Sequence, residues 1–167
     1  VQACERSLKR LKTDRIDLYL LHWPGSYPLA DTVAAFEELR QAGKVRMWGI
    51  SNFDAKGQAK VLAETGGGNC TANQVLYNLS ERGIEWDLMK ACAAAKIAVM
   101  AYTPIGRGAV TSDKSVIEVA RRHGVSPAVV AIAWTMRDPN VITIPKASNV
   151  DHVEANRQAA DLKLGAE

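Results

Sequence analysis

Short runs dense in Ile, Val and Leu recur along the chain, separated by longer stretches whose apolar residues return at helical spacing. This alternation predicts βα units around a parallel sheet. Five strands are expected: Ile16 to His22 (IDLYLLH), Val45 to Ser51 (VRMWGIS), Ala72 to Tyr77 (ANQVLY), Ile97 to Tyr102 (IAVMAY) and Val141 to Ile144 (VITI). Each is too short and too uniformly apolar for an exposed helix, as strands covered on both faces should be. Helices are expected near residues 3–12, 31–42, 55–64, 84–95, 113–123, 127–137 and 150–160. Asp31 is expected to cap the second of these and Gly43 to close it in a left-handed conformation, while Ser126 before Pro127 marks another start. Gly66-Gly67-Gly68 reads as a flexible loop, and no internal repeat is detectable.

Five parallel strands admit an open doubly wound sheet or part of a closed (β/α)8 barrel. A Rossmann sheet should offer a Gly-rich turn after its first strand, but His22-Trp23-Pro24 and Ser51-Asn52-Phe53 occupy the corresponding places and no GxGxxG occurs. Polar residues instead end every strand: His22, Ser51 with Asn52, Gln74, Tyr102 with Thr103, and Lys146. A barrel builds its site at that rim. The expected fold is therefore a (β/α)8 TIM barrel, and because a full one takes about 250 residues, five βα units represent a little over half.

Composition narrows the partner more than the fold. The 167 residues are 47% apolar and 23% charged, ordinary globular usage that excludes a disordered tail or a disulfide-dense miniprotein. A net charge of +3, without any block of like charges, gives no footprint for nucleic acid or an anionic membrane, which leaves a small molecule. Cys4, Cys70 and Cys92 are odd in number and widely spaced, so neither a disulfide framework nor a metal site is expected, and a reducing, cytoplasmic compartment fits. No apolar run approaches the roughly 18 residues of a membrane span, and no signal-peptide pattern opens the chain. It starts Val1-Gln2-Ala3-Cys4, without methionine and inside an expected helix, so an upstream portion is expected to precede it.

The segments IDLYLLHWP (16–24), GKVRMWGISNF (43–53), NQVLYNL (73–79), AYTPIGRG (101–108) and VITIPKASNVDHVEAN (141–156) together resemble the aldo-keto reductases, in the order and spacing of that family. The wording is similar to the bacterial branch of methylglyoxal and diketogluconate reductases. The resemblance implies a (β/α)8 barrel of which residues 1–167 supply the fourth to eighth strands as a single partial domain, with the missing N-terminal strands needed for completion. It implies NADPH-dependent, metal-free reduction of a small aldehyde or ketone by hydride transfer. Of the family's tetrad of Asp, Tyr, Lys and His, only the histidine maps here, onto His22, whose implied role is to orient the substrate carbonyl. The other three are expected upstream, so the isolated chain is expected to be inactive. Trp23 would wall the substrate pocket or simply pack.

The cofactor side follows from chemistry once the family is considered. A nicotinamide carboxamide needs a donor and an acceptor at fixed positions, and Ser51, Asn52 and Gln74 supply both. Turn formation or strand-end capping is the competing reading for Asn52 and Gln74. Tyr102 offers a flat face for the nicotinamide ring, or is a core aromatic. In the loop after it, Thr103, Ile105, Gly106 and Gly108 are the implied cofactor contacts; the two glycines would let backbone amides approach a pyrophosphate, with Arg107 as a charge partner. Lys146 with Ser148 and Asn149, at a helix start, would hold the adenosine 2′-phosphate, and Asn156 matches the adenine contact.

Two departures from the family pattern stand out. Ala147 replaces the usual Ser or Thr, and His152 stands where many relatives have arginine, so NADPH preference is expected to be weaker or pH-dependent, unless His152 is only an exposed helix residue. His123 beside Gly124 reads as a partner of a helix C-terminus. The alternative reading of the whole chain is a non-catalytic nucleotide-binding regulatory module on an aldo-keto reductase-like fold.

Overall fold

All five apolar runs form parallel strands, within two residues of their expected limits. In the computed structural model, which describes residues 1–165 and leaves Ala166 and Glu167 outside, the order is α1 (Gln2–Leu11), β1 (Ile16–Leu21), α2 (Leu29–Gln41), β2 (Val45–Ser51), α3 (Ala55–Ala63), β3 (Cys70–Leu76), α4 (Leu88–Ala95), β4 (Ala98–Tyr102), α5 (Lys114–His123), α6 (Pro127–Thr135), β5 (Val141–Thr143) and α7 (Val150–Gln158). The chain divides into two compact units: residues 1–74 with 91–97, and residues 75–90 with those from 98 onward.

In the first unit β1 pairs with β2 (Leu21 opposite Ile50), and β2 with β3 (Ser51 opposite Gln74), both in parallel. This register brings the ends of three strands side by side. The core fills with Val33, Phe36, Leu39, Val45, Trp48, Ile50 and Val61, all buried. Phe36 stacks on Trp48 at 5.1 Å and meets Tyr19 edge-on at 5.9 Å, geometries that add attraction beyond simple burial. The indole of Trp48 also donates to Glu37 Oε1 at 2.7 Å, so the largest buried side chain of this unit leaves no polar atom without a partner.

In the second unit β4 pairs with β5, Ala101 opposite Thr143. The helix α6 is buried along Val129 to Ala133 and again at Thr135, the pattern of a helix enclosed on every side. Val110, Val116 and Ala120 pack against its Val130 and Ala131, and Ala159 against Val129, Ile132 and Ala133.

Helix punctuation came out mixed. Ser126 accepts from Val129 N with Pro127 at the first turn, Gly43 takes φ +72°, and Gly124 closes α5 after His123. Asp31 does not cap: α2 starts two residues earlier, after Pro28, which leaves Asp31 within the first turn, where its charge still favours the helix dipole. Gly66-Gly67-Gly68 is not a loose loop either. Gly67 and Gly68 begin a short 3-10 turn, and a Cβ on buried Gly67 would collide with the Val61 carbonyl, so the glycine is there for close approach. The expected helix over 84–95 is broken into a 3-10 turn at Gly83–Glu85 and α4.

Candidate functional site

In the first unit four of the singled-out residues form one hydrogen-bonded set. Ser51, 1% exposed, donates its hydroxyl to the Gln74 carbonyl at 2.7 Å. Asn52 Nδ2 donates to the His22 carbonyl at 2.9 Å and to Ser51 Oγ at 3.0 Å, and Asn52 N donates to the Gln74 carbonyl at 2.9 Å. Asn52 sits at φ +63°, a left-handed conformation that asparagine tolerates better than other side chains. The register of β1, β2 and β3 explains the meeting, since each residue leaves the same end of a neighbouring strand.

This arrangement changes what each group can offer a ligand. The Ser51 hydroxyl hydrogen and both Asn52 Nδ2 hydrogens point into the protein. The Gln74 side-chain amide makes no hydrogen bond among the described residues, so it retains a donor and an acceptor. His22 is exposed, its Nδ1 3.3 Å from the Leu20 carbonyl; a donated N–H there would leave Nε2 unprotonated on a neutral ring. Trp23 is 63% exposed beside it.

In the second unit β4 delivers Tyr102, half-buried, and β5 leads to Lys146; Ile144 N donates to the Ala101 carbonyl at 3.1 Å, so the two residues leave neighbouring strand ends. The loop after Tyr102 has unusual backbone: Thr103, Gly106, Arg107 and Gly108 all have positive φ, at +55°, +56°, +55° and +96°. Gly106 N donates to the Thr103 carbonyl at 3.0 Å and Gly108 N to the Ile105 carbonyl at 2.8 Å. The two glycine amides are therefore committed to internal turns. What the glycines supply is conformation and room, since a Cβ on Gly108 would meet nothing within 4 Å. Exposed Arg107 has no hydrogen-bond or ionic partner among the described residues.

Lys146 Nζ donates to Ser148 Oγ at 2.6 Å, and Asn149 caps α7 by accepting from His152 N at 2.8 Å. Lys146, Ser148, Asn149 and His152 are exposed, and Asn156, one turn beyond His152, is half-buried. This is a solvent-facing cationic corner at a helix start, suited to an anion.

Sequence reading missed a polar cluster in the same unit. Tyr77, fully buried, donates its hydroxyl to Glu85 Oε1 at 2.7 Å; Arg82 grips both Glu85 oxygens at 2.9 and 2.7 Å; and Arg137 adds a bond to Oε1 at 2.8 Å. The Arg137 guanidinium lies 3.6 Å from the Trp134 ring centre, a stacked cation. Arg82, followed by the burial that opposes it and the Tyr77 and Arg137 bonds, holds the Glu85 carboxyl down at about 2, while burial first and the Glu85 bond second push the Tyr77 hydroxyl up to about 12. Also missed was Asn78, 1% exposed, whose Oδ1 accepts from Ser80 N and Glu81 N and whose Nδ2 donates to the Thr103 carbonyl at 3.1 Å. Its signal was present as an asparagine two residues before Ser80, the pattern of a side chain that mimics a backbone turn.

The family model of the aldo/keto reductase family matches residues 1–167. The chain belongs to the aldo/keto reductase family. It is 42% identical to the methylglyoxal reductase YeaE of Escherichia coli (strain K12) over 99% of this chain and 60% of that protein. To the glyoxal reductase of Bacillus subtilis (strain 168) it is 32% identical, over 99% and 58%. The crystal structure of an aldo/keto reductase from Klebsiella pneumoniae in complex with NADP and acetate superposes with a TM-score of 0.96 at 41% identity, covering 99% of this chain and 60% of that one. The chain thus spans about three fifths of the length of the aldo/keto reductases it matches.

Proposed function

We propose that this chain is the nucleotide-binding portion of a barrel-type aldo/keto reductase that uses NADPH to reduce small aldehydes or ketones, a (β/α)8 barrel of which it supplies the fourth to eighth strands. The observation that carries the reading is the Ser51–Asn52–Gln74 set: it fixes the Gln74 backbone from two sides and leaves the Gln74 side chain unengaged. A primary amide ligand, with one carbonyl and one NH2, is matched by such a side chain. NADPH, when bound, supplies a hydride from a nicotinamide ring that carries this primary amide.

The chain's residues then divide the work. Gln74 reads the carboxamide, and Ser51 and Asn52 hold Gln74 and the His22 backbone in place. Tyr102 gives the ring a flat face to stack on. Thr103, Ile105, Gly106 and Gly108 shape the loop beside the pyrophosphate, whose charge Arg107 complements. Lys146, Ser148 and Asn149 receive the 2′-phosphate, and His152 and Asn156 extend that contact along α7. His22 orients the substrate oxygen in the tautomer that carries its one hydrogen on Nε2, at the cost of the Nδ1 contact with the Leu20 carbonyl, and Trp23 limits the space around it. No residue of this chain is assigned as the proton donor, so the 167 residues alone bind the dinucleotide without turnover. The identities to a methylglyoxal and a glyoxal reductase support short aldehydes as the substrate class. Three buried, unbridged cysteines support a reducing, cytoplasmic setting.

Calorimetric titration of the chain with NADPH and NADH, followed by an absorbance assay with methylglyoxal, tests the proposal. Saturable NADPH binding, tighter than NADH and without turnover, is expected. Absence of binding to either nucleotide overturns the reading, and turnover by the chain alone overturns its division of labour.

A further inference from the structure

Thr103 is the most strained residue of the loop that follows Tyr102. A β-branched side chain at φ +55° is an outlier that persists only when surrounding contacts impose it. Those contacts can be traced. The Thr103 carbonyl accepts from Gly106 N at 3.0 Å and from Asn78 Nδ2 at 3.1 Å. The preceding carbonyl, that of Tyr102, accepts from Tyr77 N at 3.4 Å. Two consecutive carbonyls are thus held by two consecutive residues of another segment.

Asn78 is itself fixed before it reaches Thr103. It is 1% exposed, and its Oδ1 accepts from Ser80 N at 2.9 Å and Glu81 N at 3.0 Å. Its backbone exchanges hydrogen bonds with Glu81 in both directions, at 3.3 and 3.1 Å. The amide therefore cannot swing, and with Oδ1 committed to two N–H groups, Nδ2 is the end that faces Thr103. Just upstream, Tyr77 is fully buried and bonded to Glu85, which Arg82 and Arg137 hold in turn. The segment 77–85 forms a braced clasp whose remaining amide donor falls on the carbonyl of Thr103, the first left-handed residue of the loop.

We propose that Asn78 is a positioning residue for cofactor binding: its amide holds Thr103 in the left-handed conformation and so sets the direction in which Tyr102 presents its ring to the nicotinamide. This rests on the assignment of Tyr102 made above, and it goes beyond that assignment by naming what aims the ring. Asn78 needs no contact with the cofactor. Without its donor, Thr103 relaxes toward an ordinary φ and Tyr102, its covalent neighbour, turns with it. Lys146, Ser148 and Asn149 leave from β5 and α7, which Asn78 does not bond, so the adenosine end stays in place.

The test compares two ligands on the 167-residue chain: NADP+, which has a nicotinamide, and adenosine 2′,5′-bisphosphate, which has only the adenosine end. Asn78→Asp keeps the shape and both acceptor contacts but removes the donor; Asn78→Ser shortens the side chain so that it cannot reach Thr103. In both variants NADP+ is expected to bind about tenfold more weakly, the loss of roughly one hydrogen bond's worth of orientation. Adenosine 2′,5′-bisphosphate is expected to bind within twofold of the parent chain. Folded variants that bind NADP+ as the parent does overturn the proposal. Equal losses of both ligands in both variants also overturn it, in favour of a purely structural role. If the parent chain itself binds adenosine 2′,5′-bisphosphate and NADP+ with equal affinity, the nicotinamide contact assigned to Tyr102 fails, and this inference falls with it.

Discussion

The first unit gathers its candidate groups into a neutral, partly buried set whose backbone is tied down by hydrogen bonds, whereas the second presents a lysine, an arginine and a left-handed loop to solvent. Ser51, Asn52 and Gln74 are tied to one another through four atoms of backbone and side chain. Among the described residues Lys146 has one hydrogen-bond partner, the Ser148 hydroxyl, and Arg107 has no hydrogen-bond or ionic partner. In the proposed function this difference separates two tasks. Reading a neutral amide demands fixed geometry, because a misplaced donor there gains little over water. Attracting a phosphate demands charge, which acts over several ångströms and tolerates mobility. Stability and binding should therefore respond oppositely to mutation in the two regions.

The largest effect is expected from Asn52→Ala. It removes two side-chain hydrogen bonds and forces alanine to φ +63°, so urea unfolding should show a loss of roughly 2–3 kcal/mol. The same measurement on Lys146→Ala should show less than about 0.5 kcal/mol, as for an exposed substitution. Similar losses for the two would break the contrast. Next in size, Lys146→Ala should weaken NADPH about five- to tenfold at low salt and leave NADH unchanged, the difference closing as salt is raised. Equal weakening of both nucleotides would remove the 2′-phosphate from this corner.

A smaller effect concerns acid. The Glu85 carboxyl, held at about 2 mainly by the Arg82 bond, lies below its ordinary 4.5. The unfolded chain therefore takes up the proton first, and the cluster's contribution is complete above pH 4.5 and lost as pH falls toward 2. Arg82→Ala should move the acid-unfolding midpoint, followed by circular dichroism, upward by a few tenths of a unit. An unchanged midpoint would show that Tyr77 and Arg137 hold Glu85 without help.

The strands were legible because parallel strands covered on both faces are written as unbroken apolar runs, and VRMWGIS and IAVMAY could hardly be anything else. The strand-end residues were legible for the same reason: once a strand's last apolar residue is found, the polar residue after it is located. Hydrogen-bond commitments were not. That Ser51 and Asn52 spend their donors on Gln74 and His22 depends on register between strands, which the letters do not state. The Tyr77–Glu85–Arg137 cluster joins residues up to 60 positions apart, each unremarkable alone, and it also explains the broken helix at 84–95, since Glu85 is held by three side chains where helical pairing was expected. Asp31 was misplaced because a polar residue before an apolar run can serve as a cap or as a first-turn charge, and Pro28 decided which.

In the proposed function Gln74 and the Lys146 corner serve one dinucleotide. Nuclear magnetic resonance of the isotopically labelled chain titrated with NADP+ tests it most directly. The Gln74 side-chain amide, the Asn52 backbone amide and the amides of Ser148 and Asn149 are all expected to shift along a single saturation curve. Shifts confined to one of these groups, or curves with different midpoints, would contradict it.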